Sequence, residues 1–170
     1  MDMPDIDFAA PWGTMLKVMS AIGTLVLVGI PAFMLATIDF EADMIQGIGA
    51  VMMCLVILIL TLLFTVRGFT VSGSTLLVRR LLWNTRLDLT GLRSVTVDRN
   101  AMKGSIRTIG NGGLFSFSGT FRSRSLGKFR AFVTEMSSCV VLDLKSGRVV
   151  VSPDNPEYFV SVVRRSTDDG

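Results

Sequence analysis

Two stretches without a single charged side chain dominate this sequence. Val18 to Ile38 runs for 21 residues and Met44 to Val66 for 23, with only "DFEAD" (Asp39–Asp43) between them. At about 1.5 Å per helical residue, each spans roughly 30 Å, the thickness of a bilayer's hydrocarbon core. In that medium every backbone polar group needs an internal partner, so the stretches are expected to be helices. The short connector makes them an antiparallel hairpin, with helices at about 15–38 and 44–66. Burying both inside a soluble core would need far more chain than the remaining hundred or so residues supply. The leading "MDMPDIDFAAPWGT" is acidic where a cleaved signal peptide is basic, so the first helix is read as retained. Pro31 lacks a backbone donor and predicts a kink. Ala32 and Ala36 form a small-residue pair facing Gly47 and Gly49 of the second helix.

Charge sets the expected orientation. Lys17 precedes the first helix, Arg67 closes the second, and Arg79 and Arg80 follow, whereas the connector has no basic residue. Lys and Arg favour the cytoplasmic side, so both termini are expected there and the acidic turn outside. Trp12 stands where interfacial aromatics are common. Residues 1–66 carry one basic residue against six acidic ones, and residues 67–170 carry sixteen against eight. A basic domain is therefore held beside a leaflet that is itself anionic.

Cys54 falls in mid-membrane and Cys139 in the later part, too far apart in the expected topology to pair. The chain has no histidine. Histidine-based triads, histidine metal sites and histidine pH switches are excluded together. No cofactor or metal is expected.

Past Val66 the pattern changes to short apolar runs punctuated by turn residues. "GFTV" is followed by "SGS", "TLLVRRLLW" (Thr75–Trp83) by "NT" and "RLDL", and then come "RSVTVDR", "KFRAFVTE", "SSCVVLDLK" and "RVVVS". Turns about every ten residues predict an antiparallel sandwich or barrel, with Lys145–Arg148 as the tightest hairpin. In "SPDNPEYFVSVVRR", Asp154 or Asn155 is placed to cap a helix opening at Pro156. Phe159, Val162 and Val163 share its inner face, and Arg164 and Arg165 suit its negative end. "GFTVSGSTLLVRR", "LTGLRSVTVD", the "GNGG" and "SLGKFRAFVT" segments and "VVVSPDNPEYFV", in that order, resemble a bacterial pleckstrin-homology-like domain family over Arg67 to Val163. The resemblance implies a fold and a membrane setting, and carries no catalytic residues with it. The fold expected is a two-helix transmembrane hairpin followed by a mainly-β pleckstrin-homology-like sandwich or barrel closed by one C-terminal α-helix. The division is an N-terminal cytoplasmic segment (1–14), the hairpin (15–66), the domain (67–165) and a frayed tail (166–170).

Motifs of sharper chemistry fail. Gly127-Lys128 is followed by Phe129 and preceded five positions earlier by Arg122, so no P-loop forms, and Gly110 and Gly112 lack the third glycine of a dinucleotide turn. Phe115, Phe117 and Phe121 alternate with Ser116, Ser118 and Thr120, the period of a half-buried strand rather than of a base-stacking platform. The glycines at 110, 112 and 113 read as turn and bulge positions. Serines and threonines have no base, and nothing favours a dyad with Lys103 or Lys128. No enzyme activity, small-molecule substrate or nucleic acid is expected. What stands out is a run of seven basic residues without an acid: Arg99, Lys103, Arg107, Arg122, Arg124, Lys128 and Arg130. These are the candidate contact residues. Three readings follow: a non-catalytic scaffold binding a protein or peptide beside a bacterial plasma membrane, a sensor of anionic lipid through the basic segment, or an accessory subunit of a transport or secretion assembly. The partners expected are the lipid bilayer and either a protein or a second copy of this chain, and self-contacts alone would count against the first reading.

Overall fold

The computed structural model describes residues 5–37 and 40–168. Its elements are β1 (Ile6–Ala9), α1 (Thr14–Thr37), α2 (Phe40–Leu63), β2 (Gly68–Ser72), β3 (Thr75–Arg79), β4 (Asn84–Asp88), β5 (Leu92–Val97), β6 (Ile106–Gly112), β7 (Phe117–Ser123), β8 (Gly127–Val133), β9 (Val140–Leu144), β10 (Gly147–Val151) and α3 (Pro156–Asp168). Two N-terminal apolar helices thus precede a mainly-β domain with one C-terminal helix. Only 11% of the apolar window in α1, and 6% in α2, is buried by protein. Core helices are mostly covered, so these bare surfaces belong with membrane association. α1 continues through Pro31 as one element. Ile38, the expected last residue of the first helix, and Asp39, the expected first residue of the connector, lie outside the described residues, and α2 takes in the rest of the connector from Phe40.

The domain is a sandwich of two sheets. One has the order β1-β2-β3-β4, and the other β5-β9-β10-β8-β7-β6. They are not joined into a closed barrel among the described residues. All pairings are antiparallel except β8 with β10. Between the sheets lies a core of Phe8, Phe69, Leu76, Val78, Phe132, Leu142 and Val151, closed by Phe159, Val162 and Val163 of α3. A second cluster covers the far face of the larger sheet. There Phe117, Phe121, Phe129, Val133 and Val150 pack with Ala101 and Met102 of the β5–β6 loop and with Leu16 of α1. β9 and β10 are buried on both faces, which is why they read as unbroken apolar runs without alternation.

Asn155 caps α3, its side chain accepting from the Tyr158 N–H at 3.1 Å. Arg164 reaches the Val95 carbonyl at 3.2 Å, tying α3 to β5.

Four local expectations change. Ile6–Ala9, taken as part of a cytoplasmic lead-in, is a strand registered on β2 from Ile6↔Val71 to Ala9↔Gly68. "TLLVRRLLW" is not one strand: it ends at Arg79, and Arg79 pairs with Asn84. The inward parity set by Leu76 and Val78 falls next on Arg80, a cation that cannot continue the core, and the chain turns there. "IRTIGNG", which holds two of the glycines expected at turn or bulge positions, is a strand, with a register shift between Arg107 and Ile109. Its Gly110 stands opposite Gly119, both at positive φ, and a Cβ on either would strike the other strand's backbone. Ser116 and Ser118, expected on the outer face of the alternating strand, are buried: the Ser116 hydroxyl is 3.4 Å from the Phe64 carbonyl just past α2 and 3.2 Å from the Ser118 hydroxyl.

Candidate functional site: a basic cleft at the end of the second helix

The helices and the domain are joined without a linker. Only four residues separate Leu63 from Gly68. On the α1 side, the Gly13 N–H donates to the Thr134 carbonyl at 3.0 Å and Leu16 is buried in the second core. One helical turn later, the Ser20 hydroxyl accepts from the Phe115 N–H at 2.9 Å. The 113–115 loop is thereby fixed to α1, with Phe115 held at φ +63° and Leu114 against Gly23.

The same loop, β6–β8 and the last turn of α2 enclose a cleft of about 680 Å³. Leu60, Thr61 and Phe64 form the helical wall, and Ile109, Thr120 and Phe132 line the sheet side. Leu60 lies three residues before the end of α2, about 4.5 Å along the axis, so the cleft opens at the level where the helix ends.

Three cations face this space: Arg80, Arg107 and Arg130. Arg80 is the most constrained. Its Nη1 donates to the Phe64 carbonyl at 2.9 Å, satisfying an acceptor left open at the helix C-terminus. Its guanidinium lies 5.2 Å from the Phe64 ring, 5.4 Å from Phe132 and 6.0 Å from Trp83. Arg130 approaches Phe132 at 5.3 Å, so two guanidinium groups share one ring. Burial, and secondarily the charge of Arg130, lowers the Arg80 pKa from its ordinary value. Arginine remains a cation regardless, so the repulsion stays in place. The Arg80 Nε is buried without a hydrogen-bond partner. None of the cleft residues is acidic, and among the described residues the ion pairs are Arg79–Asp7, Arg99–Glu157 and Arg148–Asp143, all elsewhere. The cleft therefore holds positive charge that no acid among the described residues compensates.

The seven basic residues of the 99–130 segment are divided by the fold. Arg107 and Arg130 enter the cleft. Arg122 and Lys128 are direct cross-strand partners on the face that carries Arg130, so they extend the basic surface outward from it. Arg124 is exposed on the β7–β8 turn, and Lys103 is exposed in the β5–β6 loop. Arg99 points to α3, where it meets Glu157 at 3.6 Å. Arg80 was missed as a site residue because it lies in another segment. Its signal was a cation at the inward parity of an apolar strand.

Over residues 67–167 the chain matches the bacterial PH domain family. The chain belongs to the bacterial PH domain family. No curated protein and no solved structure matches it. In this bacterial PH domain protein the family match begins after the helices, yet β1, which completes the smaller sheet, comes from before them.

Proposed function

We propose that this protein is a two-pass, membrane-anchored, non-catalytic module that binds the anionic head group of a lipid in the Arg80–Arg107–Arg130 cleft. The observation that carries the reading is three arginines, unopposed by any acid among the described residues, converging where a long apolar helix ends. A volume of about 680 Å³ lies within the 300–1,000 Å³ range usual for small-ligand sites. That size favours a head group over a folded protein partner. Arginine suits phosphate, because its planar fork donates two parallel hydrogen bonds. An arriving phosphate would relieve the Arg80–Arg130 repulsion and give the Arg80 Nε an acceptor. Thr61 and Thr120 offer hydroxyls, while Leu60 and Ile109 offer apolar surface for the start of an acyl chain. Lys17, Arg67, Arg79 and Arg80 favour the cytoplasmic leaflet as the side on which the site lies. An introduced cysteine within Asp39–Asp43 would be labelled from outside the cell; labelling from the cytoplasm reverses the orientation.

The test uses the full chain in a zwitterionic detergent, titrated calorimetrically with a short-chain phosphatidylglycerol and with the matching phosphatidylcholine. The anionic lipid is expected to bind more tightly. Arg80→Gln, Arg107→Gln and Arg130→Gln should each weaken it by about tenfold or more, since a charge-assisted hydrogen bond contributes about 1.5–3 kcal/mol. Arg99→Gln, whose partner is Glu157, should leave it unchanged. Equal affinity for the two lipids, or indifference to all three cleft substitutions, would sink the proposal.

A further inference from the structure

The β3–β4 connection has an unusual tip. Arg80 and Trp83 close it, the Arg80 N–H donating to the Trp83 carbonyl at 3.1 Å. The two residues between them are Leu81 and Leu82, exposed at 47% and 72%. Exposed hairpin tips ordinarily take Gly, Asn, Asp or Ser. Two leucines followed by a half-exposed tryptophan are the reverse of that chemistry.

The register says where this tip lies. Gly68, five positions beyond Leu63 at the end of α2, is opposite Arg79. β2 leads away from the helix end, and β3 returns to it. The tip then projects two to three residues past the Gly68–Arg79 pair, about 7–10 Å at strand rise. It returns far enough for the Trp83 ring to meet Phe64 edge-on at 5.0 Å. The apolar tip is therefore continuous with the bare surface of α2. On the sheet wall of the cleft that Leu60 also lines, Ile109 is 72% exposed.

We infer that Leu81, Leu82 and Trp83 form a wedge inserted in the interfacial layer of the leaflet in which α2 ends. The occupant of this apolar surface is lipid of the bilayer that the helices span. Trp83 has the apolar body and N–H tip that suit this layer, and Arg80 directly behind it faces the head groups. The wedge gives the domain a further attachment besides its two helices, and so fixes its tilt and the opening of the cleft. The inference rests on α2 crossing a bilayer and is independent of what the cleft binds.

The test reconstitutes the full chain in purely phosphatidylcholine vesicles, so that anionic binding plays no part. Lipids brominated at upper or lower acyl positions report depth by quenching tryptophan. The chain has two tryptophans, Trp12 and Trp83. Trp83 is isolated by the difference between the wild type and Trp83→Phe, which leaves Trp12 undisturbed. Its emission should be blue-shifted, more strongly quenched by upper than by lower bromines, and protected from aqueous iodide. Leu82→Asp should shift the emission to the red and abolish the bromine quenching, while the far-ultraviolet circular dichroism stays unchanged. Iodide quenching of Trp83 in the wild type without bromine quenching would overturn the inference. So would indifference to Leu82→Asp, or protection that disappears when the protein is diluted within the vesicle, which would identify a second copy as the occupant.

Discussion

Replacing Phe8 by alanine should strongly destabilise the domain, although Phe8 lies 59 residues before the family match begins. Phe8 is 2% exposed and packs edge-on against Phe159 of α3 at 5.0 Å, with Tyr158 at 5.7 Å. Burying a phenylalanine is worth about 1.5–3 kcal/mol in transfer free energy. The cavity left between β1, β2 and α3 raises the loss on truncation to about 3–5 kcal/mol. Domains of ordinary stability hold only about 5–15 kcal/mol, so a loss of about 4 raises the unfolded fraction roughly a thousandfold. Urea unfolding of the full chain in mild detergent, followed by pulse proteolysis, measures this. Ile106→Ala, at a site 74% exposed, is the control and should fall within about 0.5 kcal/mol of wild type. A Phe8/Phe159 double-mutant cycle should show about 0.5–1.5 kcal/mol of coupling from the aromatic pair. If Phe8→Ala stays within about 1 kcal/mol of wild type while Phe159→Ala is strongly destabilising, β1 does not dock as described and the argument fails.

Ser20→Ala should leave the buried Phe115 N–H without its acceptor and cost about 1–3 kcal/mol, while Ser20→Thr should recover part of it; thermal unfolding in detergent distinguishes them. Burial pushes the Cys139 thiol up to about 12, with the nearby charges of Asp98 and Glu135 adding to it. An ordinary thiol ionises near 8.5, so the fold favours the neutral form and Cys139 should resist thiol reagents at neutral pH. The stability it contributes is complete below about pH 8.5 and falls as pH rises toward 12. By pH 10 the wild type should lose about 2 kcal/mol that Cys139→Ala does not lose. Parallel denaturation at pH 8 and pH 10 reads that difference, and equal losses in the two proteins would refute it.

The sequence alone determined whatever depends on local chemistry or on long runs. Uninterrupted apolar stretches have a helical solution in lipid, and Asp154 or Asn155 ahead of Pro156 and a helical stripe reads as a cap, a choice the fold settles on Asn155. The sandwich plan with its closing helix was legible for the same reason, from turn residues and apolar period. What the tertiary structure alone decided was which distant segments meet. Ile6–Ala9 is too short and too weakly patterned to declare itself a strand, and only the open edge of β2 makes it one. Gly110 reads as a turn until Gly119 comes opposite it and both backbones need the space. The seven clustered cations looked like a single surface, but strand register sends Arg107 and Arg130 to the cleft, Arg122 and Lys128 along the open face, and Arg99 to Glu157. Arg80 joins the cleft from outside that segment, because its hydrogen bond to Phe64 at the end of α2 and its approach to the Phe64 and Phe132 rings are contacts between parts of the chain apart in sequence. Periodicity shows which face a side chain occupies, and the partner across that face is set only when the sheets and helices close on one another.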